Sequence, residues 1–210
     1  MCIRDRIYAQ THPETLLGMV LRGVFLARER DLQWFFLDLQ RLFPQEWEKF
    51  SQGMAAADGQ AAGLIAAYHH RIHGDDRELS LKSARDWSDW SSCVVGWNLS
   101  HAPERTDGDQ ETLLEKKARI ETHYAQHRYF IRDNEILERI GALPEVPVTI
   151  LHGRRDLTCT MESAWLLQRA IRGSRLVVVP EAGHLMIDPP MLSALVQETQ
   201  RMQRHLPGQP

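Results

Sequence analysis

Asp156 and His184 are the two residues of this 210-residue chain whose types and settings could do chemistry together. Asp156 lies in the segment His152-Gly-Arg-Arg-Asp-Leu-Thr-Cys159, directly after the apolar, β-branched run Val146 to Leu151. His184 lies in Glu181-Ala-Gly-His-Leu185, directly after Leu176 to Val179 and the strand-ending Pro180. A carboxylate that accepts the Nδ1 proton of an imidazole fixes its tautomer, and it stabilises the imidazolium formed when Nε2 takes a proton from a nucleophile. Taken singly, an aspartate after a strand is commonly a turn residue or a helix cap, and Gly-His after a strand is an ordinary turn. In the order acid then histidine, on successive strand exits where open α/β sheets place their ligands, the two read as an acid and base awaiting a nucleophile.

The elements that must position this pair follow from periodicity. Gly18 to Leu26 is a short apolar run followed at once by charged residues, as a buried strand leaving a sheet would be. Val146 to Leu151 and Leu176 to Val179 predict two further strands, with helices over Met161 to Ile171 and Pro190 to His205. Strand, helix, strand, helix implies parallel strands covered by helices. Between them, residues 28–143 contain no convincing strand and are rich in Ala, Leu, Gln, Glu, Arg and Trp at helical spacing, with breaks near 53–59, 74–76 and 102–109. The expected organisation is a partial α/β core over 1–27, a helical cap over 28–143, and the rest of the core over 144–210.

Composition narrows the function classes. With 43% hydrophobic residues the chain can bury a core, and its net charge of −3 with scattered lysines and arginines gives no groove for nucleic acid. The longest apolar stretch, Leu16 to Ala27, is interrupted by Arg22 and falls short of a membrane span, and residues 1–6 do not resemble a secretory leader. Cys2, Cys93 and Cys159 are odd in number and widely spaced, which suits reduced thiols and a cytoplasmic setting. No cofactor is expected. His69, His70 and His73, and separately His123 and His127, can share helix faces, but no HExxH and no carboxylate ligand accompanies them, so the sequence gives no reason to expect a metal.

Further segments carry a family resemblance. Tyr8-Ala-Gln-Thr-His-Pro-Glu14, Leu21-Arg-Gly-Val-Phe-Leu26, Trp34-Phe35, Leu42-Phe-Pro44 and Trp47-Glu48 are followed by Ala67-Tyr-His-His-Arg71, Gly74-Asp-Asp76, and Ala84 with Trp87 and Trp90. Ala118-Arg-Ile-Glu-Thr-His-Tyr124, Gly153-Arg154 with Asp156 and Cys159, and Ala182-Gly-His184 complete the series. In order and spacing these segments resemble the bacterial prolyl aminopeptidases of the α/β-hydrolase superfamily. The resemblance implies a serine peptidase that removes an amino-terminal proline from a small peptide or amino-acid amide, with Asp156 as triad acid and His184 as triad base. The family's Gly-x-Ser-x-Gly elbow, expected shortly before Ala-Gln-Thr-His-Pro, has no counterpart here, and residues 1–7 stand in place of expected family residues. A truncated chain, inactive and poorly stable by itself, is therefore the expectation.

A free prolyl amine is cationic near neutral pH, so its pocket should offer a carboxylate and an apolar, aromatic wall. By spacing alone Glu121 is a solvated helix residue paired with Lys117, and Trp87 and Trp90 are a core-facing stripe. The resemblance raises all three to substrate-binding candidates, because Arg-Ile-Glu-x-His-Tyr matches the family segment that carries an amine-binding glutamate. It breaks at Ser91, where the family has a second glutamate after Trp-x-x-Trp. Asp89 is two residues away, roughly 200° around a helix, and does not substitute for it. Two rival readings stand beside the peptidase: a capped hydrolase with an aspartate nucleophile, such as an epoxide hydrolase or dehalogenase, and a non-catalytic amine-binding fragment.

Overall fold

In the computed structural model, residues 3–54, 59–99 and 110–204 are described. The predicted break at 102–109 and most of that at 53–59 lie outside them. The chain divides into two compact units, one of residues 1–26 and 133–210, the other of residues 27–132. The contacts thus place the later boundary at 132, whereas the sequence reading places it at 143. Residues 133–143 form helix α7 (Glu135–Glu138) and a following 3-10 turn, and both pack on α1 (Ile3–Thr11) of the first unit.

The first unit is built on three parallel strands in the order β1 (Met19–Arg22), β2 (Val148–Gly153), β3 (Arg175–Val179). Met19 pairs with Val148 and Thr149 with Arg175, so the strand exits at Gly23, Gly153 and Val179 fall within one residue of a common row. Every residue of β2 is buried, the polar Thr149 and His152 included, as expected of a central parallel strand. Helices α8 (Met161–Ala170) and α9 (Pro189–Gln203) pack on the sheet. Leu151, Val179, Ala182 and Met191 form a buried cluster under Val20, Val177, Ala194 and Leu195. The predicted strand from Gly18 to Leu26 is shorter in the structure because Gly23 turns the backbone to φ +56 directly after Arg22.

The second unit is helical: α2 (Glu29–Phe36), α3 (Pro44–Ser51), α4 (Ala61–His73), α5 (Arg77–Gly96) and α6 (Gln110–Gln126). Local sequence sets the starts. Pro44 occupies the first turn of α3, where its missing N–H costs nothing, and Asp76 caps α5 by accepting the Leu79 N–H at 3.0 Å. Phe50 is the centre of the core, stacking on Tyr68 at 4.7 Å and on Trp90 at 5.2 Å between ring centroids. Trp87 meets Tyr68 edge-on at 5.4 Å, and the Tyr68 hydroxyl donates to the Phe50 carbonyl at 2.6 Å. Such ring pairs add about 0.5–1.5 kcal/mol each beyond the area they bury. No helix among the described residues is long and apolar enough to cross a membrane.

Candidate active site

The loops leaving β2 and β3 are laced together by backbone. The Arg154 N–H donates to the Val179 carbonyl and the Arg155 N–H to the Ala182 carbonyl, both at 2.9 Å. An ion pair from Arg155 to Glu181 at 2.6 Å spans the same two loops on the surface. Gly153 makes the approach possible, because a Cβ there would stand 2.3 Å from the Gly183 carbonyl oxygen and 2.4 Å from that of Ala182. Asp188, at the start of α9, turns its carboxylate back to accept the Gly183 N–H at 3.0 Å, which fixes the residue before His184.

This scaffold brings Asp156 and His184 together. His184 Nδ1 lies 2.9 Å from Asp156 Oδ2, while Asp156 Oδ1 accepts the backbone N–H groups of Thr158 and Cys159, each at 2.9 Å. The aspartate side chain is 1% exposed and that of the histidine 18%. Burial opposes ionisation of Asp156, but the hydrogen bond and charge of His184, with help from His152 and the Cys159 N–H, outweigh it and hold the carboxyl below its ordinary range. An ionised carboxylate only accepts, so Nδ1 carries the proton shared with Asp156 and Nε2 is the ring nitrogen left to face a nucleophile. Beneath the pair, buried His152 donates from Nε2 to the Cys159 carbonyl at 2.9 Å. Its own burial pushes its pKa down, against the pull of Asp156.

Two positioning residues carry no role in the sequence reading. Arg22 donates to the carbonyl of His184, and a Cβ on Gly23 would stand 3.2 Å from His184 Cε1 and 3.9 Å from Asp156 Oδ2. A charged residue inside an apolar strand and a glycine at its exit are local oddities, but neither names His184 as the partner. Arg6 of α1 is likewise buried, donates to the Phe25 carbonyl, and has its pKa lowered by that burial to about 10.

In the helical unit, the Trp87 indole N–H donates to Glu121 Oε2 at 3.0 Å, and Lys117 lies 3.7 Å from Oε1 of the same carboxylate. Glu121 thus has the helical partner expected from spacing and a second, aromatic one that spacing does not give. Its side chain remains 39% exposed. Trp90 is buried, with its N–H donated to the Phe35 carbonyl at 3.2 Å, so it backs the core. Ser91 follows on α5, half-buried.

No protein-family model matches the chain. Among curated proteins, it is 38% identical over 202 residues to the proline iminopeptidase of Neisseria meningitidis serogroup A, covering 95% of this chain and 63% of that protein. It is 35% identical over 196 residues to a probable proline iminopeptidase of Leptolyngbya boryana, covering 92% of this chain and 60% of that protein. With the proline iminopeptidase of Arabidopsis thaliana it shares 32% identity over 199 residues, 93% of this chain and 51% of the relative. Among solved structures, a bacterial membrane phospholipase A matches with a TM-score of 0.49 at 17% identity, over 95% of this chain and 52% of that one. An alpha/beta fold family hydrolase from Bacillus anthracis matches with a TM-score of 0.46 at 16% identity, over 95% of this chain and 62% of that one. Both scores fall below 0.5, and the assignment rests on the sequence relatives together with the parallel sheet. The chain is thus similar to the proline iminopeptidases over nearly all of its own length, has part of an α/β-hydrolase fold, and spans about three fifths of the length of the relatives named first.

Proposed function

We propose that this chain carries the acid and base of a serine peptidase that releases amino-terminal proline from peptides or prolyl amides. The observation that supports it best is the 2.9 Å bond from His184 Nδ1 to an aspartate whose other oxygen is held by two backbone N–H groups. In this reading His184 Nε2 takes the proton of a serine hydroxyl as that oxygen attacks the prolyl carbonyl carbon, and then delivers it to the leaving amine. Asp156 stays ionised throughout and stabilises the imidazolium. The serine comes from the part of the family's length that these residues do not span, and the 210 residues alone, which hold no Gly-x-Ser-x-Gly segment, do not hydrolyse prolyl amides.

Glu121 is the proposed anchor for the prolyl ammonium, with Trp87 fixing one carboxylate oxygen and Trp90 supporting Trp87's helix from the core. Ser91 leaves a second acidic anchor out, so recognition rests on one carboxylate and accepts related amino-terminal amines more readily. Three cysteines, odd in number and widely spaced, suit a reducing compartment, and the cytoplasm is the proposed place of action.

The test is hydrolysis of a prolyl amide by the whole protein that contains this chain, with labelling by a fluorophosphonate. Serine labelling that depends on His184, with proline release, supports the reading. An active protein that resists the label and opens epoxides or releases halide would replace it with aspartate-nucleophile chemistry.

A further inference from the structure

Among the described residues, four histidines gather on the helical unit, away from Asp156 and His184 in sequence. His69 and His73 are one turn apart on α4, and His123 and His127 are one turn apart on α6, so each pair shares a face of its own helix. The His127 position follows α6 directly, with its N–H still bonded to the His123 carbonyl at 3.1 Å. Packing of α4 against α6 puts the two faces opposite each other. Ring centroids are 4.1 Å apart within the first pair and 4.6 Å within the second. Across the helices His69 stands 6.3 Å from His123 and 6.4 Å from His127, and His73 stands 6.5 Å from His123.

We propose that His69, His73, His123 and His127 form a binding site for one divalent transition-metal ion of the zinc class, joining α4 to α6. The spacing is the first reason. A nitrogen 2.0–2.1 Å from zinc sets its ring centroid roughly 3 Å from the ion, so tetrahedrally arranged ligand rings stand roughly 5 Å apart. The distances found, 4.1 to 6.5 Å, bracket that value, and modest rotations of side chains that are exposed or half-buried would even them out. The donor set is the second reason. Imidazoles without a carboxylate or carbonyl among them select zinc, copper or nickel over magnesium or calcium.

The surroundings give the third reason. His73 Nε2 lies 3.2 Å from the Arg119 carbonyl, which only accepts, so Nε2 carries the proton and Nδ1 keeps its lone pair. Thr122, whose hydroxyl donates to the Ala118 carbonyl at 2.7 Å, accepts a second contact from the same Nε2 at 3.3 Å. A ligand histidine held through its other nitrogen is the usual outer arrangement of such sites. Beyond His127, Arg128, Tyr129 and Phe130 all take left-handed backbone, at φ 49, 56 and 59, and this sharp reversal stacks Phe130 on His127 at 5.3 Å and 14°. Three successive non-glycine residues in that region are a costly conformation, and here it supplies an apolar wall beside the four rings.

Titration of the full chain with zinc, followed by calorimetry, should give one ion per chain. Replacement of one ligand, His69→Ala or His127→Ala, should weaken binding at least tenfold, and the double variant His123→Ala/His127→Ala should abolish it with unchanged helical circular dichroism. His184→Ala should leave the affinity unchanged; it tests the competing group of Asp156, Cys159 and His184, the one group among the described residues whose ligand atoms already lie within 4.8 Å of one another, whereas the four histidines must turn their rings to converge on an ion. In the unaltered chain, zinc should shield these four histidines from carbethoxylation, and a chelator should restore their labelling. Absence of both binding and shielding, or binding that follows His184 and ignores the four, would overturn the site.

Discussion

The strand unit and the helical unit hold their polar side chains in opposite ways. In the first, Asp156 is almost wholly buried and three of its contacts come from the loop backbone or from the residue on the next strand exit. In the second, Glu121 and the four histidines sit on exposed or half-buried helix faces, and their contacts come mostly from side chains of their own or a neighbouring helix. The contrast teaches that backbone topology fixes the dyad, whereas helix packing fixes the other sites. Perturbations should therefore act sharply on the former and gradually on the latter.

The largest effect is expected at Asp156. In the whole protein Asp156→Asn should lower kcat on a prolyl amide by a factor on the order of 10⁴ through loss of the tautomer and the counter-charge, with little change in KM. Steady-state kinetics would check this, and a drop below tenfold would remove Asp156 from the triad role. Next comes Gly153→Ala, whose Cβ would overlap two carbonyl oxygens of the His184 loop. We expect a stability loss of about 3 kcal/mol in urea denaturation, at the upper end of overpacking costs. A neutral result would mean the two loops separate easily.

In the helical unit, Glu121→Gln should raise KM for substrates with a free amino terminus about 10- to 100-fold, the worth of a charged hydrogen bond, with kcat less affected. Equal loss on amine-blocked substrates would sink the anchor role. The smallest effect concerns pH. Asp156 has a lowered pKa, so its stabilisation is complete above the ordinary aspartate value of 3.8 and is lost as pH falls through the lower folded value. Denaturation midpoints measured from pH 6 downward should fall more steeply in the native chain than in Asp156→Asn. Parallel profiles would mean that the carboxylate contributes nothing to acid stability.

Much of the strand unit was legible before any coordinates. Val148–Gly153 and Arg175–Val179 lie within about two residues of the runs that predicted them, and α8 and α9 fall where helical periodicity put them. A buried parallel strand needs a continuous apolar run, and that run marks its own exit. Asp156 and His184 stood out because they follow two such exits. Gly23, Arg22 and Asp188 were silent, since their importance lies in the closeness of His184, a residue more than 150 positions from the first two.

The sequence by itself determined the class of fold, the two strand exits that carry Asp156 and His184, and the expectation of helices over residues 28–143, because each is written in periodicity or in position relative to a strand end. Only the tertiary structure decided that Trp87 holds Glu121, that Trp90 spends its N–H inside the core, and that two histidine pairs 50 residues apart face one another. The reason is physical. A period of 3.6 residues tells which side chains share a helix face, but nothing local to a helix specifies which other face it will meet.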